Sequence, residues 1–96
     1  MEFEWDKGKD AANRTKHGVS LGEALLIDWS SGVTVRDDRR DYGEPRWIRF
    51  ALLSGRLHTC VFTGRAEALR IISLRKSSSR EIRKYGTTTP KTDDRF

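Results

Sequence analysis

The 96-residue sequence has one cysteine, two prolines and one methionine, and no run of apolar residues longer than four. Each scarcity excludes something. A lone Cys60 forms no internal disulfide, so the chain is not stapled in the way small secreted domains are. A membrane-spanning helix requires roughly 20 consecutive apolar residues, and stretches such as Ala24 to Ile27 fall far short. No membrane association is expected. The opening "MEFEWD" is acidic and has no apolar signal segment, which makes the cytoplasm the expected location. One cysteine and two histidines, His17 and His58, are too few and too scattered for a zinc site. The sequence therefore implies neither a metal nor a cofactor.

Acids are also scarce, but only in part of the chain. Residues 1–45 hold seven Lys/Arg and ten Asp/Glu, residues 46–86 hold ten and two, and residues 87–96 hold two of each. The formal net charge of +5 therefore divides into −3, +8 and zero. A block this basic has the electrostatic footprint of a site for phosphates or for an acidic protein. A solvated cationic face is the other reading, and charge alone does not separate the two.

Hydrophobic residues make up 35% of the chain and charged residues 34%, so the core is thin and drawn from Trp, Phe, Ile, Leu and Val. "EFEW" alternates acidic and aromatic residues, which predicts a short strand with Phe3 and Trp5 facing inward. Asp6 is a good N-cap for a helix over residues 7–16, stopped by Gly18. Ser20 and Glu23 have capping-box spacing and open a second helix to about Trp29, with Leu21, Ala24, Leu25 and Trp29 near helical spacing. Residues 30–45 read as a polar loop that begins with a short strand at "VTV". Then "RWIRFALL", "RLHTCVFT" and "ALRIISLRK" form three strands with short linkers, an antiparallel meander. Ser78 and Glu81 repeat the capping-box spacing and start a last helix. The fold class is α+β: a small antiparallel sheet with N-terminal helices and a C-terminal helix. Residues 1–86 form the domain and residues 87–96 a disordered tail.

The basic block ends in "RIISLRKSSSREIRKY", where Arg70, Arg75 and Lys76 lie on the last strand and Arg80, Arg83 and Lys84 on the last helix. Regular alternation puts Arg70 and Arg75 on opposite faces of that strand, so a bulge, a twist or the strand's end must intervene if both are to meet one ligand. Arginine suits phosphate because its planar fork makes two parallel hydrogen bonds. Two readings stay open for Glu81: a general base for a ribose hydroxyl, or a carboxylate capping the last helix. Tyr85 either stacks on a base or donates a proton, or packs in the core beside Ile82. His17 is either a general acid or a histidine satisfying carbonyls at a helix end. His58 is assigned to structure, and Trp5, Trp29 and Trp47 to the core.

Four segments in register resemble the BrnT family of toxins: "WDKGKDAANRTKHGVS", "YGEPRWI", the "GR" before the next strand, and "RIISLRKSSSREIRKY". Leu74 stands where the family usually has alanine, and its Asp-Pro after the second helix is missing from "IDWSSG". The resemblance implies a RelE-like fold and a metal-independent ribonuclease of a type II toxin–antitoxin pair. It also implies inhibition of translation and neutralisation by a DNA-binding BrnA-like antitoxin, with DNA contacted only through that complex. Carried over by position, it implies Arg75 and Lys76 at the transition-state phosphate and Glu81 or His17 in proton transfer, with Tyr85 also in the catalytic group. Lys16, Arg46, Arg70 and Ser73 would position the RNA. Two rivals use the same basic surface: a module that binds RNA or ribosomes without cutting, and a protein that only docks an acidic partner.

Overall fold

Asp6 accepts the backbone N–H of Lys9 at 2.8 Å and so starts the first helix. Gly18, at φ 75°, ends it in the left-handed conformation that glycine adopts without steric cost. The computed structural model describes residues 2–86, so the expected tail at 87–96 lies outside the described residues. In chain order the elements are β1 (Glu2–Glu4), α1 (Lys7–His17), a 3₁₀ helix (Leu21–Leu26), β2 (Val33–Arg36), β3 (Trp47–Leu53), β4 (Arg56–Arg65), β5 (Ala68–Lys76) and α2 (Ser79–Tyr85).

The five strands form one sheet in the order β1-β5-β4-β3-β2. β2 to β5 are an antiparallel meander, but β1 pairs with β5 in parallel, so the sheet is mixed rather than purely antiparallel. The reason is topological. The chain starts at one edge, crosses the sheet through α1 and the 3₁₀ helix, and returns from the far edge. Tight turns drive the return: Ser54 and Gly55 between β3 and β4 both have positive φ, the pairing that matches a hairpin's twist. At the far edge Gly32 has φ 86°, and a Cβ there would sit 1.9 Å from the Phe50 carbonyl oxygen. Only glycine fits.

The crossover lays the 3₁₀ helix and its flanking residues Val19 and Ile27 on one face. Beneath them lie Ala51 and Leu53 of β3, Cys60 and Phe62 of β4, and Ile71 and Leu74 of β5. Burial pushes the Cys60 thiol up to about 12, making it a small apolar core residue rather than a nucleophile. Phe3, Trp29 and Phe62 form a chain of edge-to-face rings at 5.4 and 5.6 Å, and Trp5 and Trp47 pack against the same core.

The second helix differs from its sequence expectation. Its capping box forms, with the Ser20 N–H donating to Glu23 at 3.0 Å, but the helix is 3₁₀ and ends at Leu26 instead of running to Trp29. Leu21, Ala24 and Ile27, spaced by three, are the buried residues, whereas Leu25 is 61% exposed. A three-residue repeat brings the first three to one side, which the 3.6-residue α repeat does not.

α1 lies along the edge of β5 that β1 is too short to cover. The buried Asn13 stands in for a missing strand. Its side chain donates to the Leu74 carbonyl at 2.8 Å and accepts the Leu74 N–H at 3.2 Å, while also donating to the Val19 carbonyl at 2.8 Å.

Candidate functional site

Among the described residues the other face of the sheet is covered only at one end, by α2. There Tyr85 stacks on Phe50 with ring centroids 3.9 Å apart, and Glu81 reaches Thr59 at 3.2 Å. Further along the same face run Ser73, Val61 and Ile72, and beyond them stands the loop that joins β2 to β3.

One irregularity of β5 organises this face. Val61 pairs with Ser73 but Phe62 pairs with Ile71, so Ile72 is an extra residue, a β-bulge. Past the bulge the alternation is reset. Arg75 pairs with Thr59, Ser73 with Val61, and Arg70 with Thr63. Since Thr59, Val61 and Thr63 share a face of β4, Arg70, Ser73 and Arg75 share it too. The bulge thus removes the conflict that regular alternation creates between Arg70 and Arg75.

The structure does not gather all the candidate residues. Lys76, paired with His58, points to the opposite, helix-covered side, where it borders a cleft with Val19 and Glu23. It is therefore separated from its neighbour Arg75, against the expectation of a joint phosphate contact. Arg70 is tied to Glu4 at 2.9 Å. His58 is buried, with Nδ1 2.8 Å from the Arg56 carbonyl, as its structural assignment requires.

Arg75 is the best-anchored cation of the group. Its Nη1 and Nη2 donate to Glu81 at 2.8 and 2.7 Å. Glu81 also accepts the Ser78 N–H at 2.8 Å and the Thr59 hydroxyl. These hydrogen bonds, that of Arg75 foremost, bring the Glu81 carboxyl down to about 2. A carboxylate so satisfied is a poor proton acceptor at neutral pH. Its geometry is that of a helix cap and a clamp on Arg75, the second of the two readings left open by the sequence.

His17 sits in a different electrostatic setting. Its pKa is lowered by burial, then by the charges of Lys16 and Arg75, all of which favour the uncharged ring. His17 and Lys16 of α1 border a cleft of about 220 Å³ whose far wall is Ile72 and Ser73. On the other side of the same two residues lies a cleft of about 390 Å³ lined by Arg39, Arg40, Tyr42 and Arg46. The bulge is the ridge between them. Arg39 also lies close enough for its charge to act on Arg75.

This concentration of arginines near His17 agrees with a profile match. The profile described as "Ribonuclease toxin, BrnT, of type II toxin-antitoxin system" matches residues 5–81. The chain belongs to the BrnT family. A comparison with curated proteins gives no match. Family membership makes this a ribonuclease toxin of a type II system, which has an antitoxin as partner. Lys16, His17, Arg46, Arg70, Ser73, Arg75 and Glu81 all fall within the matched residues, whereas Tyr85 lies beyond them. No helix among the described residues is long and apolar enough to cross a membrane.

Sequence reasoning missed Arg39, Arg40, Tyr42 and Thr59. Thr59 carried no signal, being one polar residue in a strand. The loop did carry one: "RDDRRDYGEPR" packs arginines around a single tyrosine, a composition unlike that of a flexible linker.

Proposed function

We propose that this BrnT-family toxin is a metal-independent endoribonuclease with a RelE-like mechanism, acting in the cytoplasm to stop translation and restrained by a BrnA-like antitoxin. The observation that carries the mechanism is His17 beside the Ile72–Ser73 bulge, near enough to feel the charge of an Arg75 that Glu81 holds in place. His17 takes the proton of a ribose 2′-hydroxyl. The 2′-oxygen attacks the adjacent phosphorus, the bond to the 5′-oxygen breaks, and the departing oxygen takes a proton from solvent. A 2′,3′-cyclic phosphate and a 5′-hydroxyl result. Arg75 faces the negative charge that builds on the phosphate. Two of its five N–H donors are spent on Glu81 and a third points to the Lys76 carbonyl at 3.3 Å, which leaves donors for phosphate. Ser73 and Arg46 border the RNA path.

The test is cleavage of a labelled single-stranded RNA in EDTA, with the product ends identified. Cyclic phosphate ends, and an acid limb of kcat/KM below the ordinary histidine value of 6.5 that disappears in His17→Ala, are expected. Activity lost in EDTA and restored by magnesium would overturn the mechanism. A stable RNA complex without cleavage would favour the non-catalytic binding module.

A further inference from the structure

The loop between β2 and β3 is built more firmly than a solvated surface loop requires. Asp37 at its root is 3% exposed. Its carboxylate accepts Nε and Nη2 of Arg39 at 2.7 Å each, and this hydrogen bonding above all brings it down to about 2. The Asp37 N–H donates to the Arg46 carbonyl at 2.9 Å. The Thr63 hydroxyl donates to the Pro45 carbonyl at 2.5 Å, fastening the loop's other end to β4. The turn itself is closed by the Gly43 N–H donating to Asp41 at 2.9 Å.

What this frame holds out is a flat cationic surface. The Arg46 guanidinium lies 4.1 Å from the centroid of the Tyr42 ring, and that of Arg40 5.7 Å. Arg40 has no carboxylate partner among the described residues. Arg46 Nε is buried without a hydrogen-bond partner, its neighbour Glu44 being 3.6 Å away. Beneath lies the cleft of about 390 Å³ floored by Val61, Ile72 and Ser73, and no carboxylate lines it. The contrast within the loop is informative. Arg40, Tyr42 and Arg46 also border a hollow of about 560 Å³ within the loop, but there they share the lining with Asp37, Asp38, Asp41 and Glu44.

We propose that the cleft beneath Tyr42 and Arg46 is a nucleotide subsite for single-stranded RNA. The base of a nucleotide neighbouring the scissile phosphate stacks on the Tyr42–Arg46 pair, and its own phosphate meets Arg40. Bases stack on aromatic rings and guanidinium planes alike, and only an unpaired base is free to leave its neighbours and do so. The half-apolar floor suits a planar base, and a partner's carboxylate needs neither the floor nor the ring. That favours RNA over an acidic protein as occupant. The ridge of Ile72 and Ser73 joins this cleft to the one bordered by His17, so consecutive nucleotides fit across it. The inference rests on the ribonuclease reading for the place of the scissile phosphate, but its binding test does not require cleavage.

The probe is a short single-stranded RNA with every 2′-hydroxyl methylated, so that it cannot be cut, and its binding is followed by fluorescence anisotropy. Tyr42→Ala should weaken binding about tenfold, and Tyr42→Phe should restore it. The same RNA as a duplex should show no dependence on Tyr42. With cleavable RNA, Tyr42→Ala should raise KM and leave kcat unchanged. Arg40 is exposed, so Arg40→Ala tests the site even if Tyr42→Ala unfolds; it should lower the slope of log affinity against log salt by about one. The subsite is refuted if these variants bind the probe like the parent, if the duplex suffers equally, or if only antitoxin binding is lost. The two readings fail separately. Binding that depends on Tyr42 without any cleavage sinks the nuclease mechanism alone, and cleavage indifferent to Tyr42 and Arg40 sinks the subsite alone.

Discussion

On one face of the sheet Leu74, Ile71, Cys60 and Phe62 lie under the 3₁₀ helix and its flanking residues. On the other, the same two strands present Arg75, Ser73, Thr59 and Val61 to a groove that α2 closes at one end only. The first face follows from the crossover, which carries the 3₁₀ helix over it, and its residues are there to exclude water. The second has no helix over its middle among the described residues. Its order comes from hydrogen bonds instead: Glu81 fixes Arg75, Thr59 fixes Glu81, and Asp37 fixes the arginine loop. The teaching of the difference is that stability and chemistry are divided between alternate residues of one strand. Substitutions next to each other in sequence should therefore have unlike effects.

The sharpest test sets Leu74→Ala against Arg75→Ala. Leu74 is 0% exposed, and truncating a buried leucine costs about 2–5 kcal/mol. Its cleavage rate per folded molecule should be unchanged. Arg75→Ala should cost about 1 kcal/mol for a partly exposed ion pair and lower cleavage on the order of a hundredfold. Chemical denaturation and single-turnover cleavage on both variants decide it. If Arg75→Ala loses only stability, the open face is a structural ion-pair lattice.

A second test breaks the division at its seam. Asn13 serves the covered face, yet it holds the segment of β5 from which Arg75 projects. Asn13→Ala leaves the N–H and carbonyl of Leu74 without partners, each costing about 1–3 kcal/mol. Stability should fall by roughly 3 kcal/mol, and cleavage should fall further than the unfolded fraction explains, because the strand edge is no longer pinned.

How much of this was legible in the sequence follows from the range of the forces involved. Local signals succeeded. The Asp6 cap, the stop at Gly18, both capping boxes and the span of β5 are set within a few residues. The signals that failed involve a partner elsewhere in the fold. A period-two strand gives no hint that Ile72 is extruded, because the bulge depends on how β4 pairs with β5. "LGEALL" fits an α-helix until the sheet beneath selects Leu21, Ala24 and Ile27. Lys76 and Arg75 are adjacent in sequence and divided only by the pleat. Arg39, Arg40 and Tyr42 join the site because a buried Asp37 folds their loop back over the strands.

Acid should distinguish the two faces next. Asp37 and Glu81 both serve the open face, and hydrogen bonds from arginine hold both at about 2, below the ordinary 3.8 and 4.5. With folded values below unfolded ones, their contribution is complete above the ordinary range and is lost as pH falls towards 2. Asp37→Asn should cost about 2 kcal/mol at neutral pH. It should also flatten the fall in stability on acidification, as thermal melts across that range would show. A slope equal to the parent's would mean that the Asp37–Arg39 pair does not control the loop.

The smallest expected effect is the most diagnostic. Lys76 is adjacent to Arg75, carries the same charge, and by sequence reads as half of a joint phosphate site. In the fold it lies on the helix-covered side, exposed at the end of β5, with no carboxylate partner among the described residues. Lys76→Ala should therefore change stability by no more than about 0.5 kcal/mol, as surface substitutions usually do. It removes one charge from the field that draws in RNA, so a loss of about twofold in kcat/KM at low salt, vanishing near physiological salt, is expected. Arg75→Ala should instead keep its deficit at every salt concentration, because a contact to the reacting phosphate is not screened away. Measuring both variants over a salt series separates a distant charge from a contacting one. If Lys76→Ala matches Arg75→Ala at high salt, the end of β5 turns towards the open face when RNA binds, and the division between the faces does not extend to the strand's last residue.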